Sequence, residues 1–277
     1  MGKVIGFAGN KQAGKNTTAN VLHGIVLKKR GMVKDYTLGN NGELLIKVIS
    51  GKDEWSVFDV TRKDNDFIEY AESQMWPYIK IYSFADSLKW IGKELFNIPY
   101  KCLYGTDEQK NQQIDHLLWE NMPGVTTHKT SQKLVDNVVA GRLGVYYEKV
   151  LSGVVYHKPG PMTAREFMQF FGTEVMRKMW EPVWVNNTIK RIQEEDSELA
   201  IVADVRFPNE VTSLQDIGGK VYWLNRKMYN DTHGSENVLN PENYDHNNFS
   251  GVIENQGEGH TIESLKEKIE LLYEGKL

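Results

Sequence analysis

Hydrophobic residues along the chain fall into short continuous runs that alternate with helical spacings. That rhythm belongs to buried strands with helices between them. Lys3 to Ala8 is an apolar run ended by glycine, which predicts a buried strand of a parallel sheet. A loop from Gly9 to Gly14 follows. A helix then runs from about Lys15 to Arg30, packed through Ala19, Val21, Leu22, Ile25 and Val26 and ended by Gly31. Ile79 to Phe84 reads as a second core strand, and Leu88, Ile91 and Leu95 mark the helix after it. Thr163 to Met179 is a helix whose Thr163 and Glu166 have capping-box spacing. Leu199 to Val205 is a third strand, followed by a helix from Pro208 to the Gly218–Gly219 pair. Val221 to Leu224 is a fourth strand, Gly251 to Ile253 starts a fifth, and a last helix presents Leu265, Ile269 and Leu272 on one face. The alternation predicts an α/β fold with a mostly parallel sheet and helices on both faces.

Two stretches break the rhythm. Within 32–77, Leu44–Ile49 and Trp55–Val60 are strand-like runs joined by Ser50 to Asp53, a hairpin signal. This stretch reads as an insertion at the edge of the core. The polar, mixed stretch 104–160 reads as loops, a mobile segment and an insertion on the acceptor side. About 226–240 reads as a lid. All of it is expected to form one domain over residues 1–277.

Composition adds exclusions. Apolar residues at 40% and charged residues at 25% are ordinary for a globular chain. A net charge of -4 argues against a general nucleic-acid binder. No apolar run approaches membrane-spanning length, so no membrane partner is expected. Cys102 is the single cysteine, which rules out an intramolecular disulfide and suits a reducing cytosol. Its thiol reads as a small apolar side chain. Met1 to Ala8 leads straight into strand pattern without a signal-peptide layout, so a cytoplasmic protein is expected.

The chemistry starts at Gly9. Gly9 to Thr17 reads GNKQAGKNT and fits G-x-x-x-x-G-K between a strand and a helix, the context in which that pattern holds phosphate. Glycines let backbone N–H groups turn inward around an anion, and the helix N-terminus adds its dipole. Lys15 would reach the β- and γ-phosphates of ATP. Lys11 is either a solvated loop lysine or a stabiliser of the transferring group. Asn16 stands where Ser or Thr usually touches Mg²⁺, and Thr17 comes one position later. Magnesium tolerates a shell of water and phosphate oxygens.

Transfer of a phosphoryl group from such a loop would also need cations around an acceptor. Arg165 lies in the first turn of the capped helix, an end that prefers negative groups, so a bound anion would resolve the conflict. Arg206 follows the buried strand LAIVADV at the end where α/β folds place ligands. Asp204 is either a metal-side carboxylate or the partner of Arg206. Lys89 and Lys110 are less distinctive, Arg226 lies at the lid, and Trp180, Trp184 and Phe171 read as core.

Several segments together resemble phage deoxynucleoside monophosphate kinases, a P-loop branch also similar to animal phosphomevalonate kinase. They are GNKQAGKNTTA, YSFADSLKWI, YGTDEQKN, TAREFMQFFGTEV, ADVRFPNE and VIENQG, in that order along the chain. The resemblance implies a P-loop NTPase fold with a mobile lid, ATP and Mg²⁺ as cofactors, and transfer of the γ-phosphoryl group to a dNMP. It implies that Lys11, Gly14, Lys15, Asn16, Thr17 and Thr18 hold ATP beside Gly9, with Asn255 near the adenine. It implies Lys89, Lys110 and Arg165 at the acceptor phosphate, Gly172 and Thr173 lining the nucleotide pocket, and Arg206 over the phosphates. Lys11, Lys15, Arg165 and Arg206 are then the catalytic cations, with Thr17 or Asp204 as metal-side options. The family's residue after the loop lysine is often acidic, and Asn16 departs from that too. His233, Ser235 and Glu236 match a family stretch of no assigned role. Related kinases are often dimers, which keeps a homodimer open, and a phage source would mean the host cytoplasm. Two other readings stand beside this one: a phosphomevalonate-like acceptor, and an ATP-binding regulator that transfers nothing.

Overall fold

A computed structural model describes residues 2–10, 12–49, 53–60, 62, 64–127, 148–149, 155–226, 238–255 and 261–275. The chain forms two compact units, one of residues 1–84 with 185–277 and one of residues 85–184.

The first unit opens with β1 (Lys3–Gly9), buried from Val4 onward. The phosphate-loop segment leads into α1 (Lys15–Lys29). The chain then forms a small antiparallel sheet of β2 (Asp35–Leu38), β3 (Leu44–Lys47) and β4 (Ser56–Val57). The hairpin expected in this insertion is present, with Leu45 opposite Val57. Its third strand, β2, was not expected. Asp35, Tyr36 and Thr37 hide the strand behind polar side chains, and its pairing partner supplies the order. Helix α2 (Asn65–Tyr70) is capped by the Asp64 carboxylate, which accepts from Phe67 N, and continues as a π-helical turn over Ala71–Met75. β5 (Ile79–Tyr82) returns to the core.

The second unit begins with α3 (Asp86–Glu94), α4 (Tyr100–Tyr104) and α5 (Asp107–Lys110). β6 (Gln113–Leu118) follows, then β7 (Val125–Thr127), β8 (Glu148–Lys149) and β9 (Val155–His157), which make a small mixed sheet. β10 (Pro161–Thr163) pairs antiparallel with β6 and leads into α6 (Ala164–Gln169). The capping box is as expected: Thr163 Oγ1 accepts from Glu166 N at 3.1 Å, and Thr163 N donates to Glu166 Oε2 at 2.8 Å. One long α-helix was expected here. Instead, Phe170–Arg177 is π-helical, a widening found most often at functional positions. Its aromatic face packs inward, with Phe167 and Phe171 stacked at 5.3 Å. Cys102 is buried in this unit's core, as its apolar reading requires. Trp184 is buried too, whereas Trp180, also expected in the core, is 55% exposed.

Helix α7 (Val183–Glu195) carries the chain back to the first unit. There β11 (Leu199–Val205), α8 (Pro208–Asp216), β12 (Lys220–Asn225), β13 (Gly251–Glu254) and α9 (Ile262–Tyr273) complete the core. The five-stranded sheet has the order β13-β12-β1-β11-β5, and every pairing in it is parallel. This is the mostly parallel P-loop NTPase-like sheet that the apolar runs predict. Phe7, Leu22, Ile79, Ile201 and Leu224 share its core. Strand order reverses at β1: the strands before β12 lie to one side of it and the later ones to the other. Open α/β sheets bind ligands at the carboxyl end of the strand where order reverses. Here that end is Gly9.

Candidate active site

The loop after β1 is built by backbone. Ala13 N donates to Asn10 O at 3.1 Å and closes a tight turn. Gln12 holds a positive φ of 59°, and Gly14 follows at φ 93°. Left-handed residues in such a turn aim N–H groups into one concavity. Gly14 also opens α1 without any side-chain cap, and no acidic residue stands in the helix's first turn. The first N–H groups of this helix are thus left for an outside anion. Glycine is required at position 14 for a second reason: a Cβ there would lie 2.8 Å from Asn255 Nδ2.

Lys15 is 9% exposed, and its ammonium curls back into the loop, donating to Gly9 O at 2.6 Å and Asn10 O at 2.9 Å. Thr18 is fully buried, with its hydroxyl donating to Gly14 O at 2.9 Å. Asn16 is exposed and Thr17 half-buried. Asn255, expected near an adenine, donates from Nδ2 to Ala13 O at 2.8 Å and so braces the loop. Lys11 lies outside the described residues, as do His233, Ser235, Glu236 and most of the expected lid.

Asp204 is the penultimate residue of β11, level with the end of β1, where Ala8 pairs with Val205. Its Oδ2 accepts from Ser83 Oγ at 2.5 Å and its Oδ1 from Phe84 N at 3.0 Å. These bonds tie the carboxyl ends of β5 and β11 together. Arg206 comes next, and its backbone N–H donates to Glu210 Oε2 at 2.7 Å. Glu210 is 1% exposed and also accepts from Phe207 N, fixing the turn that presents Arg206. Glu210 was missed in the sequence, although an N3 glutamate behind a helix-starting proline is a readable capping signal.

The residues expected on the acceptor side lie in the second unit. Lys89 on α3 places its ammonium 4.6 Å from the centre of the Tyr104 ring on α4. Arg165 on α6 pairs through Nη2 with Asp107 Oδ1 at 2.6 Å, where α5 begins. This carboxylate is an anion of the kind the helix-start argument calls for. Arg165 Nε and, one helical turn on, Gln169 Oε1 are buried with no hydrogen-bond partner among the described residues. Lys110 closes α5, three residues from Asp107. Gly172 and Thr173 sit inside the π-helical segment. Gly172 O accepts from Trp184 Nε1 at 3.1 Å, and a Cβ at Gly172 would run into Leu88 at 2.7 Å.

The family model for deoxynucleotide monophosphate kinase matches residues 93–269, more than half of the chain. The chain belongs to the deoxynucleotide monophosphate kinase family. The match takes in Arg165, the π-helical segment, Asp204, Arg206 and Asn255, while the phosphate loop precedes it. A protein of Acanthamoeba polyphaga mimivirus named "Putative deoxynucleotide monophosphate kinase" is 28% identical over 156 residues, which cover 56% of this chain. The chain spans 65% of that relative's length, a little under two thirds.

Members of a kinase family use a nucleotide, and a magnesium ion commonly accompanies it. Among the described residues, no group of three or more His, Cys, Asp or Glu is placed to hold a metal. Magnesium keeps water and phosphate oxygens and needs one or two protein carboxylates at most. Asp204 is the carboxylate of this kind at the end of the sheet. Among the described residues, no helix is long and apolar enough to cross a membrane.

Proposed function

We propose that the chain transfers the γ-phosphoryl group of ATP to a deoxynucleoside monophosphate, giving ADP and the deoxynucleoside diphosphate. The observation that carries this reading is the uncapped helix start at Gly14, directly after the central strand, with the Lys15 ammonium folded into the loop. Membership of the family supports the choice of acceptor.

In this reading Gly9, Gly14, Asn16, Thr17, Thr18 and Lys11 line the ATP phosphates, and Lys15 swings from the Gly9 and Asn10 carbonyls onto the β- and γ-phosphates. Asn255 holds the loop in shape through Ala13. Lys89, Lys110 and Arg165 receive the acceptor phosphate, and Gly172 and Thr173 line the pocket for its nucleoside. A phosphate oxygen of the acceptor is already anionic and acts as the nucleophile, so no general base is needed. Its bond to the γ-phosphorus forms as the bond to the β–γ bridging oxygen breaks, and that electron pair leaves with ADP. Lys11, Lys15, Arg165 and Arg206 offset the charge spread over the transferring group. Magnesium bound with ATP neutralises phosphate charge, with Thr17 or Asp204 the residues of this chain at hand for its shell. The partners are small molecules rather than nucleic acid or membrane, in the cytoplasm (the host's, if a phage encodes the chain), with a homodimer as the assembly to test.

The test is ADP release measured with ATP across all deoxy- and ribonucleoside monophosphates. At least one dNMP should stimulate release strongly. ATP binding without stimulation by any monophosphate would sink the proposal.

A further inference from the structure

The insertion at 32–77 lies against the helix that follows the phosphate loop. Asn20 Nδ2 donates to Gly42 O at 2.9 Å. Gly42 sits at φ 78°, and a Cβ there would stand 2.3 Å from Thr17 Oγ1. One turn further along α1, the ring of Tyr36 of β2 packs on Gly24, where a Cβ would meet it at 2.2 Å. Beside it His23 meets Phe58 edge-on at 5.8 Å. Thr17, Asn20 and Gly24 recur at helical spacing, so they form one stripe of α1. That stripe is given over to the insertion.

The turn itself is stiffened from within. Gly39 N donates to Glu43 O at 2.9 Å, Gly42 N donates to Gly39 O at 3.0 Å, and Asn41 N donates to Glu43 Oε2 at 2.9 Å. Such a turn has little freedom to follow α1 if the helix shifts.

We propose that the Gly39–Glu43 turn is a positioning clamp for the ATP site, acting through Asn20 and Gly42 on Thr17 and the first turn of α1. This rests on the reading that the loop at Gly9–Thr18 holds ATP. The N–H groups offered to phosphate belong to that loop and that first turn. An anion is held well only where several donors converge, and a displacement of the helix start by a fraction of a bond length misaligns them together. Thr17 follows Asn16, the position where the loop pattern expects a metal-side hydroxyl. The contact with Gly42 therefore fixes the first-turn hydroxyl next to that position. Asn20 and Gly42 are positioning residues, since ATP is not required to touch either.

The experiment compares the full chain with Asn20→Ala, Asn20→Asp and Gly42→Ala. Affinity for ATP is measured by titration calorimetry, steady-state KM for ATP and for the acceptor is measured separately, and unfolding is followed by circular dichroism. Asn20→Ala should weaken ATP about fivefold to tenfold and raise KM for ATP alike, leaving KM for the acceptor unchanged. Asn20→Asp keeps the shape and removes the donor, so it should behave as badly or worse. Gly42→Ala should do more, because it pushes Thr17 directly; should it fail to fold, the Asn20 pair decides. Folded variants that bind ATP like the wild type overturn the clamp. So do variants that raise both KM values equally, which is what general loosening would give. A wild-type chain that binds no ATP at all overturns the parent reading and the clamp with it.

Discussion

Asp107 Oδ1 lies 2.6 Å from Arg165 Nη2, so the first-turn arginine of α6 is paired with a carboxylate from the start of α5. The pair is partly exposed, with the Arg165 side chain at 25% and Asp107 at 53%, which limits its worth as a stabilising contact. Its geometry matters more than its energy. A bound monophosphate would compete with Asp107 for the same guanidinium.

Opposite effects are therefore expected from the two partners. Arg165→Ala should lower kcat/KM for the acceptor about a hundredfold, as loss of a charge-assisted contact to phosphate does. Asp107→Asn should leave it unchanged or improve it. Steady-state kinetics with the acceptor varied at saturating ATP measure both. A fall for both variants would make the pair structural.

Lys15→Ala should cut kcat by about a thousandfold or more and leave the circular dichroism spectrum intact. The ammonium bonds two loop carbonyls in the free chain, so a modest loss of stability is also expected. Retained transfer would remove Lys15 from the mechanism.

Asn255→Ala should weaken ATP binding about fivefold with little change for the acceptor, the cost of roughly one hydrogen bond. Its side-chain amide donates to Ala13 O at 2.8 Å. Calorimetric titration with ATP checks this, and an equal loss with GTP would favour bracing over base recognition.

His23 makes stability depend on pH. Burial lowers its pKa from 6.5 to about 3, and neither ring nitrogen has a hydrogen-bond partner among the described residues. The unfolded chain takes up a proton here below about pH 6.5, whereas the folded chain resists until about 3. Stability thus falls as pH drops through that window, by up to about 1.4 kcal/mol per pH unit from this group. His23→Leu should raise Tm, and raise it more at pH 5 than at pH 8. Thermal melts at the two pH values measure the difference.

What the sequence revealed depended on distance along the chain. The core strands were legible because LAIVA and VIGFA are unbroken apolar runs. The turn between β1 and α1 was legible because its glycine spacing is local. β2 was not, since its order comes from pairing with β3. The Arg165–Asp107 pair joins residues 58 apart and the Asn20–Gly42 bond residues 22 apart, and no local pattern announces either. Resemblance pointed to Asn255 as a neighbour of the adenine, whereas its contact with Ala13, 242 residues away, was visible in the structure alone.

Helix α1 is buried without interruption from Val21 to Leu27, walled by the central sheet on one side and by residues of the 32–77 segment on the other. An amphipathic helix keeps a wet side where mutations drift harmlessly. This one has surrendered it. A saturation scan across these positions should find intolerance to charged side chains at every angle around the helix axis, so residues 32–77 narrow the latitude of the very segment they cover.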